Sequence, residues 1–85
     1  MTEHEIYAIL AKALENLFEI EPERIKPEAD LFNDLEIDSI DAIDLIDYIK
    51  RQTGHKLMAE DFRNVRTVAD VIQAVINKAK QSDNA

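Results

Sequence analysis

Cysteine is absent from this sequence, so neither a disulfide framework nor a thiolate metal site can be built, and nothing points to an oxidising compartment. Glycine occurs once and proline twice in 85 residues, which leaves little material for β-turns. No apolar run approaches the ~18 residues that a membrane-spanning helix needs. The first residues, Met1, Thr2, Glu3, His4 and Glu5, are acidic where a secretory leader would be basic. A soluble, cytoplasmic protein without membrane insertion is therefore expected. A chain of this size buries roughly 60% of its unfolded surface, which suits one compact domain and not an enzyme with a deep interdomain cleft.

What is present favours helices: Ala, Leu, Ile, Glu, Asp and Lys dominate, and 46% of the residues are hydrophobic. The formal net charge is -8, which opposes nucleic acid and anionic membranes as partners and favours basic proteins. The charge is concentrated. Asp30, Asp34, Glu36, Asp38, Asp41, Asp44 and Asp47 fall in one stretch without Lys or Arg, while the rest of the chain is nearly balanced.

Apolar residues at helical spacing, Ile6, Ile9, Leu10, Ala13, Leu14, Leu17 and Phe18, predict a first helix from Glu3 to about Phe18. Residues 19–37 show no sustained period and contain Pro22 and Pro27, which predicts a long connection pinned inward by Ile25, Leu31, Phe32 and Leu35. A second helix should open at Asp38 or Ser39 and stop at Gly54. Its apolar arc is Ala42, Ile43, Leu45, Ile46 and Ile49. Asp41, Asp44, Tyr48 and Arg51 face away, and Asp47 and Ile40 fall near the border. One short helical turn anchored by Phe62 is expected around 59–64. Thr67 with Asp70 predicts a capping box for a last helix whose stripe is Val68, Val71, Ile72, Val75 and Ile76. The expected fold is all-α: a small bundle of three main helices and one short one, with a long first loop. It forms a single domain over 1–85, with its core at about 3–80 and a flexible tail at 81–85.

The run Asp34, Leu35, Glu36, Ile37, Asp38, Ser39, Ile40 resembles the D-L-G-x-D-S-L attachment site of acyl carrier proteins, and it sits between the long loop and the second helix as in that family. The resemblance spans about Glu3 to Lys80. It implies that Ser39 bears a covalent 4'-phosphopantetheine arm, that a separate phosphopantetheinyl transferase installs it, and that the chain is no enzyme. The local physics agrees: a phosphodiester at a helix start meets unpaired backbone N–H groups and the positive end of the helix dipole. Considered alone, Ser39 is better read as an ordinary helix cap, and it is the surrounding pattern that favours attachment. No Ser/His/Asp arrangement is apparent, since the only histidines, His4 and His55, lie far from Ser39 in sequence.

Asp41, Asp44 and Asp47 at successive helical turns repel one another. The resemblance implies a use for them: with Asp38 and the exposed Ile40, they dock on basic patches of ketosynthases and other acyl-processing enzymes. A monomer is expected. The chain departs from the family pattern at Glu36, where the motif has Gly, and at Ile37. Asp47 also stands where many bulk fatty-acid carriers have an apolar residue, and Lys50 and Arg51 where they often carry acids. This sign reversal points to a specialised partner set, such as a polyketide-like or polyene pathway. Competing readings are a peptidyl or D-alanyl carrier, an acidic helical adaptor without cofactor, and a calcium loop at Asp34, Glu36 and Asp38. The calcium loop lacks both the turn glycine and the closing glutamate.

Overall fold

The computed structural model describes residues 2–83. Its elements are α1 (Glu3–Phe18), a 3-10 turn (Pro22–Arg24), α2 (Ser39–Thr53), α3 (Ala59–Arg63) and α4 (Val68–Asp83). This is the all-α bundle that the periodicity implied. Residues 81–83, expected in a frayed tail, continue α4 as helix, and 84–85 lie outside the described residues.

Each main helix starts where a short polar side chain replaces a missing backbone acceptor. Thr2 Oγ1 accepts from the Glu5 N–H at 3.2 Å, and Glu5 answers from the Thr2 N–H at 3.1 Å. Thr67 and Asp70 do the same for α4, at 3.2 Å and 3.1 Å. These hydrogen bonds hold the carboxyls of Glu5 and Asp70 below the ordinary carboxylate range. α1 ends on Glu19 in the left-handed region, at φ 55, and α2 ends on Gly54 at φ 77.

α1 packs against α2 and α4, and α3 against α4. Leu10, Leu14, Leu31, Leu45, Ile49, Leu57, Val68, Val71 and Val75 form the fully buried centre. No polar or charged side chain is buried among the described residues, so the core itself holds no candidate chemistry. Three expectations are corrected here. Leu17 and Phe32 are both 41% exposed: Leu17 lies in the last turn of α1, and Phe32 lines the surface beside Ile43 and Ile46 of α2. Tyr48, expected to face away, is half-buried and packs against the core.

The long connection is stitched to the start of α4. Leu31 donates to the Arg66 carbonyl at 2.8 Å, Val68 to Ala29 at 3.1 Å and Ala69 to Pro27 at 2.9 Å, around an isolated antiparallel bridge between Asp30 and Thr67. Tyr7 adds a hydrogen bond from its hydroxyl to the Ile25 carbonyl at 2.9 Å. Ile25, Leu31 and Leu35 point inward as expected. The loop that delivers the chain to α2 is thus fixed at several points.

Candidate functional site

Asp30 organises the approach to the site. Its carboxylate accepts from the backbone N–H groups of Asn33 and Phe32, both at 2.9 Å, and these bonds hold its carboxyl below the ordinary range. The Asp34 carboxylate accepts from the Asp30 N–H at 2.8 Å, and Arg24 donates to the Asp34 carbonyl. Ile37 is buried and donates to the Leu31 carbonyl at 2.9 Å, closing the turn. Glu36 between them lies at φ 56, in the left-handed region. The departure from glycine therefore leaves the turn intact: Glu36 adopts the conformation for which glycine is the usual choice, with its side chain exposed.

Asp38 is the N-cap of α2. Its side chain accepts from the Asp41 N–H at 2.9 Å, and the Asp41 carboxylate accepts from the Asp38 N–H at 3.4 Å. Asp38 thus takes the capping role, so Ser39 is not the cap: it is the first helical residue. Ser39 is exposed, and its hydroxyl makes no hydrogen bond among the described residues. The N–H groups of Ser39 and Ile40 likewise have no protein acceptor there. An exposed nucleophilic oxygen therefore sits at the positive end of a 15-residue helix.

Beside Ser39 opens a groove of about 350 Å³ lined by Phe32, Ser39, Ala42, Ile43, Ile46, Phe62 and Arg63. Its walls are apolar except for Ser39 and Arg63. Ile43 was expected on the buried arc and is 65% exposed, next to Ile40 at 72%. The helical wheel accounts for this. Ile43 sits about 60° round from Ile46, at the edge of an arc too broad for one neighbouring helix to cover. The groove was not foreseen from sequence, because Phe32, Phe62 and Arg63 meet α2 only through the tertiary fold.

The acidic residues divide into two kinds. Asp44 is exposed and makes no ion pair among the described residues. Asp38 and Asp41 are engaged in the cap, and Asp47 pairs with Arg51 at 3.0 Å, one turn along the same helix. Asp34, Glu36 and Asp38 do not converge: among the described residues no group of three or more His, Asp or Glu side chains is placed to hold a metal ion. No helix is long and apolar enough to cross a membrane among the described residues.

Comparison with known proteins places this arrangement in a wider setting. The family model described as phosphopantetheine attachment site matches residues 8–75. The chain is similar to acyl carrier protein 2 of Ralstonia nicotianae, with 47% identity over 75 residues that make up 88% of this chain and 93% of that protein. It is similar to the meromycolate extension acyl carrier protein of Mycolicibacterium smegmatis, 35% identical over 82 residues, covering 96% of this chain and 82% of the other. The acyl carrier protein of Coprothermobacter proteolyticus is 32% identical over 75 residues, covering 88% and 92%.

Proposed function

The chain belongs to the acyl carrier protein family, and we propose that Ser39 is the residue that bears its phosphopantetheine arm and that acyl groups are held on that arm as thioesters. Members of this family carry and do not catalyse. The observation that carries the assignment is the Ser39 hydroxyl: exposed, unengaged, at the first residue of α2 and opening onto an apolar groove.

The residues present fit such a group. In the loading step a transferase accepts the proton of the Ser39 hydroxyl while Oγ bonds to the phosphorus of coenzyme A's phosphopantetheine half. The bond from that phosphorus to the adenosine bisphosphate half breaks, and that half leaves. Because the partner supplies the base, the absence of an activating group around Ser39 is no obstacle. The unpaired N–H groups of Ser39 and Ile40 face the added negative charge. When bound, the arm supplies a thiol that forms and exchanges thioesters. The protein's own part is to tether, so that delivery to a partner's active site becomes effectively intramolecular.

Asp44, Ile40 and Ile43 form the exposed part of the proposed docking face, with the capping pair Asp38 and Asp41 at its start and Asp47 at its far edge. The proposed partners are a phosphopantetheinyl transferase and ketosynthases or other acyl-processing enzymes with basic patches, met by a monomer in the cytoplasm. Cargo from fatty-acid or related polyketide synthesis fits a groove walled by Ile43, Ile46, Phe32 and Phe62. The relative named for meromycolate extension supports service to a dedicated elongation system.

Incubation with coenzyme A and a broad-specificity transferase tests the attachment. The full chain should gain the mass of one phosphopantetheine group, and Ser39→Ala should gain none. An unchanged gain in Ser39→Ala would relocate the site.

A further inference from the structure

A phosphodiester on Ser39 would be placed among like charges. Asp38 and Asp41 flank it in the first turn of α2, and no Lys or Arg occurs anywhere between Asp30 and Asp47. The nearest cations in sequence offer no help, since Lys50 and Arg51 sit three turns along the helix, and Arg51 is paired with Asp47 at 3.0 Å. Attachment therefore creates a local negative charge that the second helix does not balance.

The fold supplies a cation from elsewhere. Arg63 stands at the end of α3 and is the one charged residue lining the groove that Ser39 also lines. It is exposed and makes no ion pair or side-chain hydrogen bond among the described residues. Two features hold it in place. Phe62, its neighbour, is 7% exposed and anchors α3 in the core. Asp61 is tied to Lys78 of α4 at 2.9 Å and to the Met58 N–H at 2.8 Å, so its carboxylate is occupied and does not compete for Arg63. Glu60, exposed one turn earlier on α3, is the remaining acid close in sequence, and it makes no pair with Arg63. Arg63 is thus the cation that the groove presents to an anion on Ser39.

We propose that Arg63 is a positioning residue for the arm: its guanidinium pairs with the phosphodiester on Ser39 and turns the arm's first segment over the groove, toward Phe62, Ile43 and Ile46. This rests on Ser39 being the attachment point. The planar fork of arginine suits a phosphate's two free oxygens, whereas the groove's remaining walls suit the apolar parts of the arm.

The test uses the full chain loaded from coenzyme A with the thiol left free, so that no cargo anion is present. Intact mass first establishes loading. Nitrogen–proton NMR then follows the Arg63 Nε–H and the Phe62 amide, and phosphorus NMR follows the arm. Loading should shift both protein signals, and raising salt from about 0.05 M to about 1 M, which shortens the screening length to about 3 Å, should move the phosphorus resonance. In Arg63→Gln the salt response of that resonance should disappear, in Arg63→Lys it should be partly kept, and Arg66→Gln should behave as the parent. A mass gain with an unmoved Arg63 Nε–H, or with identical phosphorus resonances in parent and Arg63→Gln at every salt concentration, overturns this inference alone. Absence of any mass gain overturns the attachment reading and this one with it.

Discussion

Asp38 and Asp41 exchange hydrogen bonds across the first turn of α2, each carboxylate accepting from the other's backbone N–H, at 2.9 Å and 3.4 Å. The pair sets where the helix begins and so presents Ser39 as its first residue. It also means that an acidic residue expected to meet partners has structural work at home. Asp38→Ala should remove the cap at a cost of about 1 kcal/mol, which lowers the melting temperature of a domain this size by roughly 4–8 °C. Asp38→Asn, which can still cap, should stay close to the parent. Thermal and urea unfolding measure both, and an Asp38→Ala variant as stable as the parent would show that the cap is dispensable.

Glu36 at φ 56 occupies a conformation that strains an L-residue by roughly 1–2 kcal/mol. Glycine would relieve the strain while adding roughly 0.5–1 kcal/mol of unfolded-state entropy. Glu36→Gly should therefore be neutral to stabilising, by up to about 1 kcal/mol, and Glu36→Val should be destabilising because a branched Cβ is still less tolerant of positive φ. Urea midpoints for the two variants decide it. A loss of stability in Glu36→Gly would mean that the glutamate side chain stabilises the turn.

The legibility of the sequence follows the range of the interactions involved. Caps and stops were readable because they are local: Asp38, Gly54 and the Thr67–Asp70 box act within four residues. The boundaries of α1 were readable because its stripe is regular over four turns. Exposure on the broad arc of α2 was not, since helical spacing shows that Ile43 and Ile46 share a face but not how far α1 covers it. Phe32 was expected inside for the same reason, an apolar side chain being easier to place in a core than on a groove wall. Glutamate itself carries none of glycine's signal, so the left-handed conformation of Glu36 was signalled only by the glycine that the family motif has at that position. The stitching of the long loop to α4 around Asp30 and Thr67, and the arrival of Arg63 opposite Ser39, depend on contacts more than twenty residues apart.

The Asp61–Lys78 pair joins α3 to α4, with side chains 30% and 22% exposed. The hydrogen bond from Lys78, then the one from the Met58 N–H, hold the Asp61 carboxyl below its ordinary value of 3.8. A carboxyl lowered in the folded state contributes stability that is present above the unfolded pKa and is lost as pH falls through the folded one. Unfolding free energies of parent and Lys78→Gln should therefore differ most at neutral pH, by at most about 1 kcal/mol, and converge as pH falls below about 4. The variant-to-parent difference is the right quantity, because most of the pH-dependent self-repulsion in a chain of charge -8 is common to the parent and to the variant with one cation fewer. A difference that persists undiminished at acid pH would assign the effect to packing of the lysine stem.

Asp47 and Arg51, paired at 3.0 Å, change how the acidic helix presents itself. A basic patch approaching α2 meets Asp44 unpaired, then Asp47 already neutralised by Arg51, then the exposed positive charge of Lys50. A uniformly basic surface is attracted at one end and repelled at the other, which is a means of refusing wrong partners. At an exposed rim each contact is worth under ~1 kcal/mol, so rates should be biased several-fold and exchange should not be abolished. With the same acyl group loaded, Lys50→Glu/Arg51→Glu should outperform the parent several-fold on a general fatty-acid ketosynthase, both by removing repulsion and by releasing Asp47. Asp44→Lys, which leaves the Asp38–Asp41 cap intact, should do the opposite: slower transfer with a weaker dependence on salt. The two variants bracket the idea, since a docking code needs both signs to matter. Equal turnover by parent and the double variant, or transfer by Asp44→Lys that matches the parent at low salt, would leave α2 as a solvated face without a role in choosing partners.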